Sequence, residues 1–163
     1  MSALPAWRRR RIGVAAAGWG AAVTATAVVG GLATDTESEW YRQLDRPSWQ
    51  PPGWVFGPVW TLLYVLVAIS ATLAYRDVGG PRRRVVFGLF AANLALNAAW
   101  TWIFFQGHDP RAAGIEIVVL LATIVALIGL LRPHNRAAAA ALVPYGAWVT
   151  FAGALTWTIA ARN

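Results

Sequence analysis

The stretch PSWQPPGWVFGPVWTLLY, Pro47–Tyr64, sets three tryptophans and four prolines within eighteen residues and carries no charged side chain. It leads directly into an apolar run, so it marks the point where a stiff aromatic loop becomes a helix. Pro47, Pro51 and Pro52 fix φ and remove backbone donors, which favours an extended, rigid path. Pro58 falls in the first turn of the helix that follows, where a missing N–H is no loss.

Working outward from this junction, four more apolar runs come into view. A helix crossing the ~30 Å hydrocarbon layer needs ~20 apolar residues. Five segments reach that length: Ile12–Thr34, Val55–Tyr75, Val85–Gln106, Ala112–Leu131 and Ala137–Ala161. Three connections are short and polar or rich in Gly and Pro: RDVGGPRRR (76–84), GHDPR (107–111) and RPHNR (132–136). The first, Asp35–Trp54, is about twenty residues long. The expectation is one all-α membrane domain over residues 1–163, a bundle of five transmembrane helices with a long lid loop between the first two.

Composition agrees with lipid as the solvent. The chain is 58% hydrophobic and 13% charged, against about 25% charged in soluble domains, and its mean hydropathy is +0.49. Cysteine is absent, which excludes disulfides, thiol catalysis and thiolate metal sites. All fourteen basic residues are arginine, and they sit in clusters at the ends of the apolar runs. That placement explains the net charge of +7 without nucleic acid. Ten arginines fall at the amino terminus and in the second and fourth connections; four (Arg42, Arg46, Arg111, Arg162) fall in the first, the third and at the carboxyl terminus. Positive charge stays inside, so the amino terminus is expected in the cytoplasm, with the long loop and the carboxyl terminus outside. Arg8–Arg11 ahead of an apolar run also resembles a secretory signal. That run exceeds twenty residues, beyond the ~7–15 of a signal's apolar core, and reads as a retained helix.

The plain account of Trp49, Trp54 and Trp60 is an interfacial aromatic belt. The accompanying prolines favour a second account, in which a rigid loop holds indole faces over the bundle mouth as a lid for a flat apolar ligand. Helical spacing supports a pocket. Trp60 and Tyr64 share one face, Asn93, Asn97 and Trp100 another, and Trp148, Ala152 and Leu155 a third. Asparagine in hydrocarbon needs a partner, so Asn93 and Asn97 are either contacts between helices or polar groups of a cavity. Glu116 is the most deeply embedded acid: a functional group, or the partner of Arg111 one turn away. Gly88 and Ala92 form a small-xxx-small pair that permits close helix approach. His108 and His134 lie in connections on opposite sides, and the one methionine is Met1, so no metal site and no axial haem ligand is expected within the bundle. Hydrolase triads and phosphate loops are missing too.

Three blocks, WYRQLDRPSWQPPGWVFGPVWTLLY (40–64), LALNAAWTWIFF (94–105) and VPYGAWVTFAGAL (143–155), together resemble the tryptophan-rich sensory protein / translocator protein (TspO/MBR) family, from about Trp40 to the end of the chain. The resemblance implies a five-helix bundle whose first loop lids a pocket. It implies binding of porphyrins such as protoporphyrin IX and haem, and in some members cholesterol. In bacterial members the porphyrin is broken down in light and oxygen by two pocket tryptophans, which match Trp60 and Trp148. Ligand-binding positions carry over to Trp49, Pro51, Tyr64, Asn97, Trp100 and Ala152, the acid of the fourth helix to Glu116, and a homodimer contact to Gly88 and Ala92; Trp54 joins the ligand-binding set from the lid reading of the loop. The sterol motif matches imperfectly: Thr156 and Trp157 stand where the family has Asn and Tyr, with Arg162 as the cation. No obligatory cofactor is expected, porphyrin being ligand or substrate. Three functions follow: a porphyrin sensor or regulator able to degrade its ligand in light, an exporter of porphyrins or other apolar compounds, and a binding partner that only titrates them.

Overall fold

A computed structural model describes residues 5–163; Met1, whose sulfur enters the haem-ligand argument above, lies outside the described residues. The described chain is helical. Its elements are α1 (Ala6–Ala33), α2 (Glu39–Gln43), α3 (Phe56–Asp77), α4 (Arg82–Thr101), α5 (Pro110–Leu131), α6 (Arg136–Ala141) and α7 (Val143–Arg162). A 3₁₀ turn, Gly53–Val55, leads into α3, and a widened π turn, Trp102–Gln106, prolongs α4. Five helical stretches are long and apolar enough to cross a membrane, α6 and α7 together forming the fifth.

The expected spans recur with shifted ends, and the shifts have physical causes. α1 begins at Ala6 rather than Ile12, and α4 at Arg82 rather than Val85. Arginine is a good helix former, and its long stem lets the guanidinium leave the hydrocarbon while the backbone stays helical. Pro5 and Pro81 stand immediately before these starts. α5 begins at Pro110, capped by the Asp109 carboxylate, which accepts from the N–H groups of Arg111 and Ala112 at 3.1 and 2.9 Å. The fifth run is not one helix. Pro144 has no N–H to donate to Ala140, so the ladder breaks at Leu142 and resumes as α7.

α1 packs on α3 and α4, α5 lies between α4 and α7, and α3 and α7 meet lightly. The spans therefore close a ring in the order α1, α4, α5, α7, α3. Phe90, wholly buried, joins α4 to α1: Trp19 lies 5.4 Å from its ring and 5.6 Å from that of Phe87. Ser70, also wholly buried, donates to the Ala138 carbonyl at 2.8 Å and ties α3 to α6.

The loop between α1 and α3 is folded down over one end of the ring. α2, capped by Ser38, brings Trp40 to 5.5 Å from Phe104 and Tyr41 to 5.4 Å from Phe105. Leu44 is buried beside both phenylalanines. On the far side of the mouth, the Asp45 N–H donates to Asn163 Oδ1 at 3.0 Å and its carboxylate meets Arg162 at 3.3 Å.

Removing the ring of Phe90 leaves a hole at the seam of α1 and α4. Phe90→Ala is expected to destabilise the bundle by about 2–4 kcal/mol and Phe90→Leu by less than half of that. Equilibrium unfolding in detergent measures both. Equal midpoints for parent and alanine variant would show that the α1–α4 seam does not hold the bundle together.

Candidate functional site: a lidded aromatic cavity

Beneath the lid the ring encloses a cavity of about 520 Å³, within the ~300–1,000 Å³ of small-molecule pockets. Trp60 and Tyr64 reach it from α3, Asn97 and Trp100 from α4, and Trp148 and Ala152 from α7. Gln50, Phe56 and Gly57 close it from the lid side, and Gly30, Gly31 and Thr34 from the end of α1. Its walls are flat rings: Trp60 lies 5.5 Å from Tyr64, Trp100 stacks on Phe104 at 5.1 Å, and Trp148 sits between Phe56 (5.7 Å) and Phe151 (5.2 Å). No lining side chain is charged.

Three of the expected positions stand apart from the cavity lining. Trp49, Pro51 and Trp54 do not line the cavity. Trp49 packs edge-on against Phe151 at 5.8 Å with half its surface exposed, and Trp54 is 77% exposed. Pro51 lines a separate polar depression in the lid. The cause is local: the 3₁₀ turn Gly53–Val55 aims Phe56 and Gly57 inward and leaves the Trp54 indole outside, as an interfacial belt would have it.

The floor is a chain of hydrogen bonds through four spans. Tyr64 Oη donates to Asn97 Oδ1 at 2.6 Å, and Asn97 Nδ2 donates to Tyr145 Oη at 3.1 Å. Tyr145 Oη donates to Asn93 Oδ1 at 3.1 Å, and Asn93 Nδ2 donates to Thr123 Oγ1 at 2.8 Å. Thr123 closes the chain on the Leu120 carbonyl at 2.7 Å. Asn97 is thus both cavity wall and helix contact, whereas Asn93 is a helix contact only. Tyr145 is the hub that the sequence reading missed. It sits inside the VPYGAWVTFAGAL block, and its spacing of three residues before Trp148 was the available signal.

Four polar groups are buried without a partner among the described residues. Three belong to cavity-lining side chains: the indole N–H groups of Trp100 and Trp148, and Gln50 Oε1. The fourth is the Glu116 carboxylate, both oxygens of which lack a hydrogen bond, so the expected pairing with Arg111 is not made. Thr156, in the doubtful sterol motif, lines the cavity; Trp157 is 43% exposed and rests against Gly114, while Arg162 is engaged with Asp45. Gly88 and Ala92 lie on the outward face of α4 with open space beside Gly88. His108 stacks on Trp40 at 4.5 Å, and among the described residues no three His, Cys, Asp or Glu side chains converge to hold a metal.

The chain is similar to known proteins. The sequence model of the TspO/MBR family matches residues 19–162. The tryptophan-rich protein TspO of Chlorobaculum tepidum is 36% identical over 142 residues, 85% of this chain and 89% of that one. Its namesake in Archaeoglobus fulgidus is 35% identical over 124 residues, 76% and 80% of the two chains. The translocator protein of Homo sapiens is 34% identical over 122 residues, 74% and 72%.

Because Tyr145 serves two asparagines at once, Tyr145→Phe leaves a buried donor on Asn97 and a buried acceptor on Asn93. The expected loss is about 1–3 kcal/mol. Tyr64→Phe frees one acceptor at the cavity wall, where water can replace the phenol, and is expected to cost under about 1 kcal/mol. Thermal unfolding of both variants in detergent checks the order; a larger loss for Tyr64→Phe would displace Tyr145 as the hub.

Proposed function

This chain belongs to the TspO/MBR family and is an integral, multi-pass membrane protein; we propose that it binds a flat tetrapyrrole, protoporphyrin IX or haem, in the cavity beneath its lid. The observation that carries the reading is a chargeless cavity walled by indole and phenyl faces, with two indole N–H groups unpaired. Flat rings offer stacking over a macrocycle, and unpaired donors wait for an acceptor that water or ligand must supply. Histidine and cysteine do not line this cavity, a lining suited to a free-base porphyrin that needs no axial ligand. Porphyrin here is ligand or substrate, and no further cofactor is invoked.

Within this reading the protein is a sensor or regulator that also promotes breakdown of bound protoporphyrin IX in light and oxygen. Molecular oxygen is the oxidant, and Trp60 and Trp148, both on the cavity wall, supply an electron or a hydrogen atom to the oxidised macrocycle. The exposed small-residue face at Gly88 and Ala92 supports self-association into a homodimer. The arginine distribution supports a cytoplasmic amino terminus with the lid on the opposite side. Sterol binding at Trp157 and Arg162 finds less support, since Arg162 already serves Asp45.

Two measurements test the proposal. Protoporphyrin IX titrated in the dark is expected to quench tryptophan fluorescence saturably, and illumination in air to bleach the bound porphyrin faster than the free. Trp148→Phe is expected to keep binding while slowing bleaching at least about tenfold, a barrier change of ~1.4 kcal/mol. Bleaching no faster than free porphyrin would leave a binding sensor; protein-dependent flux across vesicles would favour export; no saturable quenching removes the porphyrin. Orientation is read separately: a cysteine placed at Ser38, the only thiol in the chain, is expected to react with an impermeant label from outside intact cells.

A further inference from the structure

A ligand that is both flat and acidic cannot have its acid met inside this cavity, whose lining carries no charge. The lid offers one cation at the mouth. The guanidinium of Arg46 lies 4.9 Å from the ring centroid of Tyr41, and Tyr41 lines the cavity. Tyr41 Oη accepts a hydrogen bond from Gln50 Nε2 at 3.1 Å, which turns Gln50 Oε1 free of any partner. Gln50 and Gly53 wall both the cavity and the polar depression of about 530 Å³ in which Arg46 itself sits.

The surrounding charges leave Arg46 unsatisfied. Asp45, its neighbour in sequence, is held by Arg162 and faces the end of α7. Asp35 caps the Glu37 N–H, and Glu39 accepts from Gln43. Arg46 makes no ion pair among the described residues. The Tyr41 face steadies the guanidinium without neutralising it, and the planar fork matches a carboxylate with two parallel hydrogen bonds.

We propose that Arg46 binds a carboxylate of the ligand at the cavity mouth, so that the apolar body lies under the lid and the acid stays beside Gln50 and the guanidinium. This inference rests on the porphyrin reading and gives it a specificity: diacid porphyrins over their esters. Arg46 is exposed, so the contact is screened by salt and moderate in size.

The experiment compares protoporphyrin IX with its dimethyl ester, titrated into the full-length protein in neutral detergent at low and high salt. Arg46→Gln is expected to weaken the diacid roughly three- to tenfold at low salt and to leave the ester unchanged, which also reports an intact cavity. Arg46→Lys, which keeps the charge but not the planar fork, is expected to retain only part of the affinity, Arg42→Gln all of it, and high salt to erase the difference. Equal effects on acid and ester, no effect on either, or an equal loss from Arg42→Gln would each overturn the role of Arg46 while leaving the cavity reading in place. Saturable binding of neither compound by the parent protein would remove the porphyrin reading, and Arg46 with it.

Discussion

The hydrogen-bonded chain Tyr64–Asn97–Tyr145–Asn93–Thr123 is the constraint on which the rest of this bundle depends. Lipid tails are as apolar as the helices they surround, so there is little hydrophobic force to hold one span against another. Close packing can do it, but close packing leaves no cavity. A chain of polar contacts resolves the conflict by fixing α3, α4, α5 and α7 at one level through bonds that cannot be exchanged for lipid. Its four links join three pairs of helices, α3 with α4, α4 with α7 twice, and α4 with α5, and Asn93, Asn97 and Tyr145 are buried. Below this level, toward the arginine-rich end, the interior is filled by Val67, Ala71, Phe90, Ile124 and Leu127; above it, the ring opens to form the cavity.

The lid completes what the polar chain begins. An open ring filled only with lipid would select nothing, whereas a loop seated on Phe104 and Phe105 through Trp40, Tyr41 and Leu44 gives the cavity a roof. The π turn matters here. Its widened geometry, with the Gly107 N–H reaching back to the Trp102 carbonyl at 2.8 Å, sends Gln106 sideways to donate to the Ala33 carbonyl at 2.8 Å. That bond satisfies one of the carbonyls left free at the end of α1, at the point where the lid departs. At the other margin Arg162 and Asn163 hold Asp45. The lid is therefore anchored on both sides of the mouth by different chemistry, aromatic on one and polar on the other.

Five spans and the place of the long loop were legible in the sequence because hydrocarbon thickness imposes a length that composition alone reveals. Span ends were less legible, since arginine continues a helix past the apolar stretch that a hydropathy reading sees. For the site, helical spacing placed Trp60 with Tyr64, Asn97 with Trp100 and Trp148 with Ala152, because a periodic face survives folding unchanged. Trp49, Pro51 and Trp54 had no such period to guide them: in a proline-rich loop, which side chain turns inward is decided by a single 3₁₀ turn. Tyr145 escaped notice for a different reason. Its importance lies in two asparagines on another helix; the spacing before Trp148 marks a shared face but does not announce those partners.

The unpaired groups around the cavity give it a direction of preference that shape alone would not. A buried donor without a partner costs on the order of 1–3 kcal/mol, and the Trp100 and Trp148 indoles, both belonging to side chains that line the cavity, carry two such donors. A purely hydrocarbon ligand would fill the volume and leave both costs standing. A flat aromatic ligand with acceptors at its edge fills the same volume and removes them. The chargeless lining works in the same sense from the other side, because a fully ionised group drawn into it would lose its water for no counter-charge. On the proposed reading, the cavity favours a ligand whose acceptors are neutral within the ring and whose charges, where it has them, remain at the mouth. Aromatic faces, free indole donors and an uncharged interior agree on that distribution, and the four-helix polar chain is what keeps the space open for it.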